Sequence, residues 1–120
     1  MLQKAMIVGI GSALGAVLRY EIYMWLPDKG IGLETMIVNT IGSFFLGLLT
    51  AVFSDRKRKT VSLLWGTGAC GGFTTMSTFA ADVFHLMENE ILLGIVYIAL
   101  TLFFGIGAGL SGILVGRRMK

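Results

Sequence analysis

Apolar residues run along this chain in four long stretches separated by short polar segments. The first stretch covers about Ala5 to Leu26, the second Thr35 to Phe53, the third Val61 to about Leu86 and the fourth Ile91 to Val115. A helix needs about 20 apolar residues to cross the hydrocarbon core of a bilayer, and each stretch is of that order. None shows the alternation of a β-strand. The polar segments between them are Pro27–Glu34, Ser54–Thr60 and Met87–Glu90, with a tail at Gly116–Lys120. Loops this short leave no room for a second domain. The pattern predicts an all-α integral membrane protein, a single four-helix transmembrane domain over residues 1–120. Four crossings would put both termini on one side.

Composition agrees. The chain has 120 residues, 55% hydrophobic and only 14% charged, with a mean hydropathy of +0.81. A soluble domain of this size cannot hide so much apolar surface. Most of the 17 glycines lie inside the apolar stretches, where small residues let helices approach closely in lipid. Lys4 and the apolar run to Leu18 have the outline of a signal peptide. No clear small-x-small cleavage site follows and three more apolar stretches do, so the reading is a retained span. Cys70 is the sole cysteine and cannot form an internal disulfide.

Charge gives the orientation. Lys4, Arg56, Lys57, Arg58, Lys59, Arg117, Arg118 and Lys120 fall on one side, and only Lys29 on the other. Basic residues in short loops stay cytoplasmic, so eight against one predicts a cell-membrane protein with both termini on the cytoplasmic side. Tyr20, Tyr23 and Trp25 near the outer end of the first stretch, and Trp65 near the inner end of the third, read as interfacial aromatics.

The stretch richest in chemistry lies in the middle of the third segment: Gly68-Ala69-Cys70-Gly71-Gly72-Phe73-Thr74-Thr75-Met76-Ser77-Thr78-Phe79. Paired glycines weaken a helix, and Ser and Thr can satisfy the freed backbone. The spacing fits either a helix broken near the bilayer midplane, as ion sites often are, or a continuous helix with small packing residues. Asn39 in the second stretch either bonds a neighbouring helix or lines a wet cavity. Arg19 lies about 10 Å from the outer end of its stretch at 1.5 Å per residue; it either snorkels outward or serves a polar interior. Glu21, two residues on, does not share its helix face. Asp82 is a functional candidate one turn after Phe79, and His85 reads as interfacial. Gly105, Gly107, Gly109, Gly112 and Gly116 contain two Gly-xxx-Gly repeats, which read as packing. No nucleophile motif, phosphate loop or metal-ligand cluster is present, and no enzyme activity is expected.

Gly71-Gly72-Phe73-Thr74-Thr75-Met76-Ser77-Thr78-Phe79 resembles the signature of the Fluc/CrcB family of fluoride channels, Gly-Gly-x-Thr-Thr-Phe-Ser-Thr-Phe. Gly11-Ser12-Ala13-Leu14-Gly15-Ala16-Val17-Leu18-Arg19-Tyr20 is similar to the family's first-helix motif, and Val38-Asn39-Thr40-Ile41-Gly42-Ser43-Phe44 to its second. The resemblance spans essentially the whole chain. It implies a passive fluoride channel that protects against fluoride toxicity and works as an antiparallel dimer around a structural Na⁺. Gly71 and Thr74 would offer backbone carbonyls to that Na⁺. Asn39 and Phe79 would line the fluoride path with Met76, Ser77 and Thr78, and Arg19 matches the family's first-helix arginine.

The chain departs from the pattern in three places. Met76 replaces a phenylalanine, Asp82 stands where a glutamate is common, and Gly105 and Gly109 align with positions that usually carry hydroxyls. A small multidrug-type proton-coupled transporter would need an embedded glutamate in the first helix. Glu21 is its only candidate, and it sits near the outer end without the expected flanks. The charge bias adds one more expectation. A chain this strongly biased inserts one way, so an antiparallel partner would be a paralogue of opposite bias, giving a heterodimer; the alternative partner is a second copy of the chain itself. In a Cys70→Ala background, Ser54→Cys should react only with a membrane-permeant thiol reagent in intact cells, and Asn89→Cys also with an impermeant one. Comparable impermeant labelling at both positions would contradict a single orientation.

Overall fold

The computed structural model describes residues 1–26 and 30–119, and these are helical almost throughout. Pro27, Asp28, Lys29 and Lys120 lie outside the described residues, and with them the lysine expected on the outer side and the last of those expected on the inner side. Helix α1 spans Leu2–Trp25 and α2 Leu33–Val52. A 3₁₀ turn at Arg56–Arg58 leads into α3 (residues 59–73), whose central Ser62–Cys70 stretch is π-helical. Helix α4 spans Met76–Asn89 and α5 Ile91–Arg118. Helices α1, α2 and α5 are each long and apolar enough to cross a membrane, with mean hydropathies of 1.4, 1.7 and 2.4.

Two boundaries differ from the apolar pattern. The third stretch is two helices, α3 and α4, separated by Thr74 and Thr75 in extended conformation. The expected loop Met87–Glu90 contracts to Glu90, because α4 runs on to Asn89 and the Glu90 N–H still closes on the Leu86 carbonyl at 2.8 Å. On the other loop, Asp55 starts the 3₁₀ turn by accepting from the Lys57 N–H at 3.4 Å.

The helices pack in two main pairs, α1 on α3 and α2 on α5. Water does not drive helices together inside lipid, so close van der Waals packing must. Glycine provides it on both seams. A Cβ on Gly15 would run into the Ala69 carbonyl, and one on Gly72 into the Ser12 carbonyl. A Cβ on Gly47 would meet the Gly109 carbonyl, and one on Gly112 the Phe44 carbonyl. Of the glycine-rich fourth stretch, Gly112 and Gly116 sit in this seam, whereas Gly107 faces open space. The small residues Gly66, Gly68, Ala69 and Cys70 are all buried and lie in the wide π-helical stretch. π-Helical turns of this kind are found mostly near functional sites.

Gly32 has a separate reason to be glycine. It opens α2 with φ +70°, a left-handed conformation that L side chains avoid. A Cβ there would also press on the Tyr97 ring at 2.8–2.9 Å, while the Tyr97 hydroxyl donates to the Gly32 carbonyl at 3.0 Å.

Gly15→Ala should therefore destabilise the α1–α3 seam by about 1–3 kcal/mol, the usual cost of overpacking. Gly9→Ala has nothing within 4 Å to meet and, in a helix interior, should leave stability unchanged or raise it by up to about 1 kcal/mol. Thermal unfolding of the detergent-solubilised protein checks both, and equal melting temperatures for the two variants would contradict this account of the seam.

Candidate functional site at the helix break

Helix α3 ends because Thr74 closes it. The Thr74 N–H and its Oγ1 both donate to the Cys70 carbonyl, each at 3.0 Å. Thr74 (φ −80°, ψ 159°) and Thr75 (φ −145°, ψ 121°) are then extended. Thr75 starts α4 as its N-cap: its Oγ1 accepts from the Thr78 N–H at 3.2 Å. The same hydroxyl donates to Thr78 Oγ1 at 3.1 Å and lies 3.3 Å from Ser77 Oγ. A threonine at this position satisfies one of the otherwise unpaired amides of a helix start.

Asn39, on α2, grips the break. Its Nδ2 donates to the Thr75 carbonyl at 3.0 Å, and its Oδ1 accepts the Thr75 N–H at 2.8 Å. One side-chain amide thereby replaces two backbone partners that a continuous helix would have supplied. A side-chain amide has two N–H donors, so the clamp leaves one of them for another acceptor. From the opposite side, Arg19 Nη1 of α1 donates to the Thr74 carbonyl at 3.3 Å.

These bonds redirect two carbonyls. In a continuous helix the Thr75 N–H would go to Gly71 and the Thr78 N–H to Thr74. Both amides are engaged elsewhere, so the Gly71 and Thr74 carbonyls leave the helical ladder. A Cβ on Gly71 would meet nothing within 4 Å, and the residue is exposed. Neutral backbone oxygens of this kind suit a hard cation. Two carbonyls are only part of a coordination shell, and the Thr74 oxygen is shared with Arg19. Among the described residues no group of three His, Cys, Asp or Glu side chains could hold a metal ion.

Beside the break lies a recess of about 380 Å³, lined by Asn39, Ser43, Thr74, Thr75, Met76, Phe79 and Thr101 among others. Phe79 is held face-on by Tyr97, with ring centroids 5.7 Å apart and planes at 23°. Met76 is 76% exposed in the single chain. The N-terminus of α4 brings the positive end of its dipole to the same place.

The structure thus gathers Arg19, Asn39, Gly71, Thr74, Met76, Ser77, Thr78 and Phe79 around one break. Asp82 stands apart, in a second recess of about 320 Å³ with Gly32, Glu34 and His85. Its Oδ2 lies 3.3 Å from the Tyr97 hydroxyl, so Tyr97 links the two recesses. Sequence reasoning passed over Thr75, Tyr97 and Thr101. Thr75 had a signal, a hydroxyl residue three positions before Thr78 where a new helix starts. Tyr97 and Thr101 had none beyond being polar groups in an apolar stretch. The Thr101 Oγ1 is buried with no hydrogen-bond partner among the described residues.

Comparison with known proteins bears on this geometry. Residues 6–113 match the family model described as CrcB-like protein, Camphor Resistance (CrcB). The chain is 43% identical over 113 residues to the "Fluoride-specific ion channel FluC 2" of Bacillus subtilis, covering 93% of this chain and 86% of the relative. It is 39% identical over 116 residues to the "Fluoride-specific ion channel FluC" of Thermotoga maritima, covering 92% and 91%. It is 42% identical over 86 residues to the "Fluoride-specific ion channel FluC 1" of Halobacterium salinarum, covering 72% and 70%. With the family model spanning all five helices, from within α1 to within α5, this chain belongs to the CrcB-like family.

Proposed function

We propose that this chain is one subunit of a passive, fluoride-selective channel, not an enzyme, that exports cytoplasmic F⁻ and so protects the cell against fluoride toxicity. The observation that carries the reading is the Asn39 amide on the helix break: one hydrogen of Nδ2 is engaged by Thr75, and the other remains for an anion in the recess beside Phe79. Fluoride is small and strongly hydrated, so a path for it must replace water with donors. The Asn39 amide and the hydroxyls of Ser77 and Thr78 are donors of the right kind. The Tyr97 stack covers one face of Phe79 and leaves the ring edge, which is electropositive. Met76 contributes polarizable bulk where an aromatic edge is absent. Asp82 and Arg19 are accessory to this path. The names of the relatives support the same substrate.

In this reading α3 and α4 together make one crossing, broken near the bilayer midplane, and the chain is a single four-span domain of the cell membrane with both termini cytoplasmic. Gly71 and Thr74 would hold a structural Na⁺ through their carbonyls, which when bound supplies a fixed positive charge that rigidifies the break and favours anions. Gly71 is exposed within this chain, which supports a second subunit meeting it at the centre of an antiparallel dimer. The eight-to-one charge bias makes that subunit a paralogue inserted the other way. Relatives named FluC 1 and FluC 2 carry the kind of numbering that paired chains would.

Fluoride-loaded liposomes holding the assembled protein, diluted into fluoride-free buffer, should release F⁻ and retain Cl⁻. Absence of release, or equal release of both ions, would contradict the function. Asn39→Asp places a carboxylate in the path and should cut flux at least about fivefold, from like-charge repulsion of about 1–4 kcal/mol at close range. Phe79→Ile should slow it by up to about tenfold, the worth of an aromatic contact, and Met76→Phe should be tolerated. Normal flux in the Asn39→Asp/Phe79→Ile double variant would exclude these roles.

Assembly is tested separately. The chain expressed alone should yield no fluoride flux, and co-expression with an oppositely biased paralogue should restore it. Full flux from the lone chain, with thiol labelling from both sides, would establish a homodimer instead.

A further inference from the structure

We infer that Arg19 is a tethered cation that competes with Na⁺ for the carbonyl of Thr74. This rests on the reading of the Gly71 and Thr74 carbonyls as Na⁺ ligands. Thr74 O is out of the helical ladder because the Thr78 N–H turns to Thr75 Oγ1. It is therefore an acceptor with nothing from its own helix, and the Arg19 guanidinium takes it at 3.3 Å.

Arginine cannot shed its proton, and its partner here is a neutral oxygen, so the positive charge stays at the break. Glu21 points to another face of α1 and is exposed. A Na⁺ that takes the same oxygen must either displace the guanidinium or sit directly beside its charge. Two positive charges that close repel each other. The break consequently has a resident cation when Na⁺ is absent, and binds Na⁺ more weakly than the bare carbonyls would. Gly15 supports this placement. One turn before Arg19 on the same helix, it packs on the Ala69 carbonyl and the Phe73 amide, which holds the start of the arginine side chain close to the end of α3.

The test is thermal unfolding of the purified, assembled protein across a Na⁺ titration at constant ionic strength, with N-methyl-D-glucamine as the replacing cation. Arg19→Gln keeps a donor for the carbonyl and loses the charge. Arg19→Lys keeps the charge. Arg19→Met, neutral and close in volume, repeats the comparison should Arg19→Gln not fold. Relative to the wild type, the neutral variant should lower the half-stabilising Na⁺ concentration about tenfold or more, since like charges this close interact strongly outside bulk water. Arg19→Lys should stay within about twofold of the wild type. In N-methyl-D-glucamine alone, the neutral variant should unfold at a lower temperature than Arg19→Lys. Equal Na⁺ midpoints in the wild type and the neutral variant, or a higher midpoint in the latter, would overturn the competition while leaving the Na⁺ site standing. No Na⁺-specific stabilisation in any of the proteins would instead remove the Na⁺ site, and the competition with it.

Discussion

Lipid offers no hydrogen bonds, so every backbone group that leaves a helix there needs a partner from within the protein. The interruption at Thr74 and Thr75 exists because that demand is met residue by residue. Thr74 closes α3 on Cys70, Thr75 caps α4 through Thr78, and the Asn39 amide takes both the N–H and the carbonyl of Thr75. Without Asn39, two buried backbone groups would be unpaired, at about 1–3 kcal/mol each. The break and the asparagine are thus one structural unit, although 36 residues separate Asn39 from Thr75.

The glycine seams explain why that unit is well placed. Asn39 can reach Thr75 only because α2 lies against the end of α3. There Gly42 leaves room for the Thr74 methyl group, which a Cβ on that glycine would displace. Arg19 reaches Thr74 from the other side because Gly11 and Gly15 let α1 settle onto the backbone of α3. The break is therefore held between two helices that touch each other far less than each touches its own partner. Positioning comes from backbone contact, which long side chains on these seams would abolish.

The recess around Asp82 obeys a related logic. Tyr97 stacks on Phe79, and its hydroxyl reaches Gly32 and Asp82. One ring thus fixes the orientation of Phe79 and ties α5 to the start of α2. Large apolar side chains elsewhere, such as Phe103 on α5, face outward, as a helix surrounded by lipid or by another subunit requires.

The sequence by itself determined the apolar stretches that become helices and the lopsided charge at their ends. Period and length marked the apolar stretches, because a bilayer demands about 20 apolar residues whatever the fold. Paired glycines followed by hydroxyls marked the weak point, because those residue types release and then recapture backbone groups. Only the tertiary structure decided how the groups are spent. From sequence, Asn39 fitted equally a hydrogen bond to a neighbouring helix and a place on a wet path, and the structure gives its amide a backbone clamp with a donor left over. Arg19 fitted equally an outward-snorkelling and an inward-facing side chain, and the Thr74 carbonyl draws it inward. Gly105 and Gly112 lie in one glycine-rich stretch, yet a Cβ on Gly112 would run into the Phe44 carbonyl while one on Gly105 would find only Ser43, at 3.9 Å. Each of these outcomes depends on which backbone atom of a distant helix comes within about 3 Å, a distance set by packing in three dimensions and carried by no local pattern.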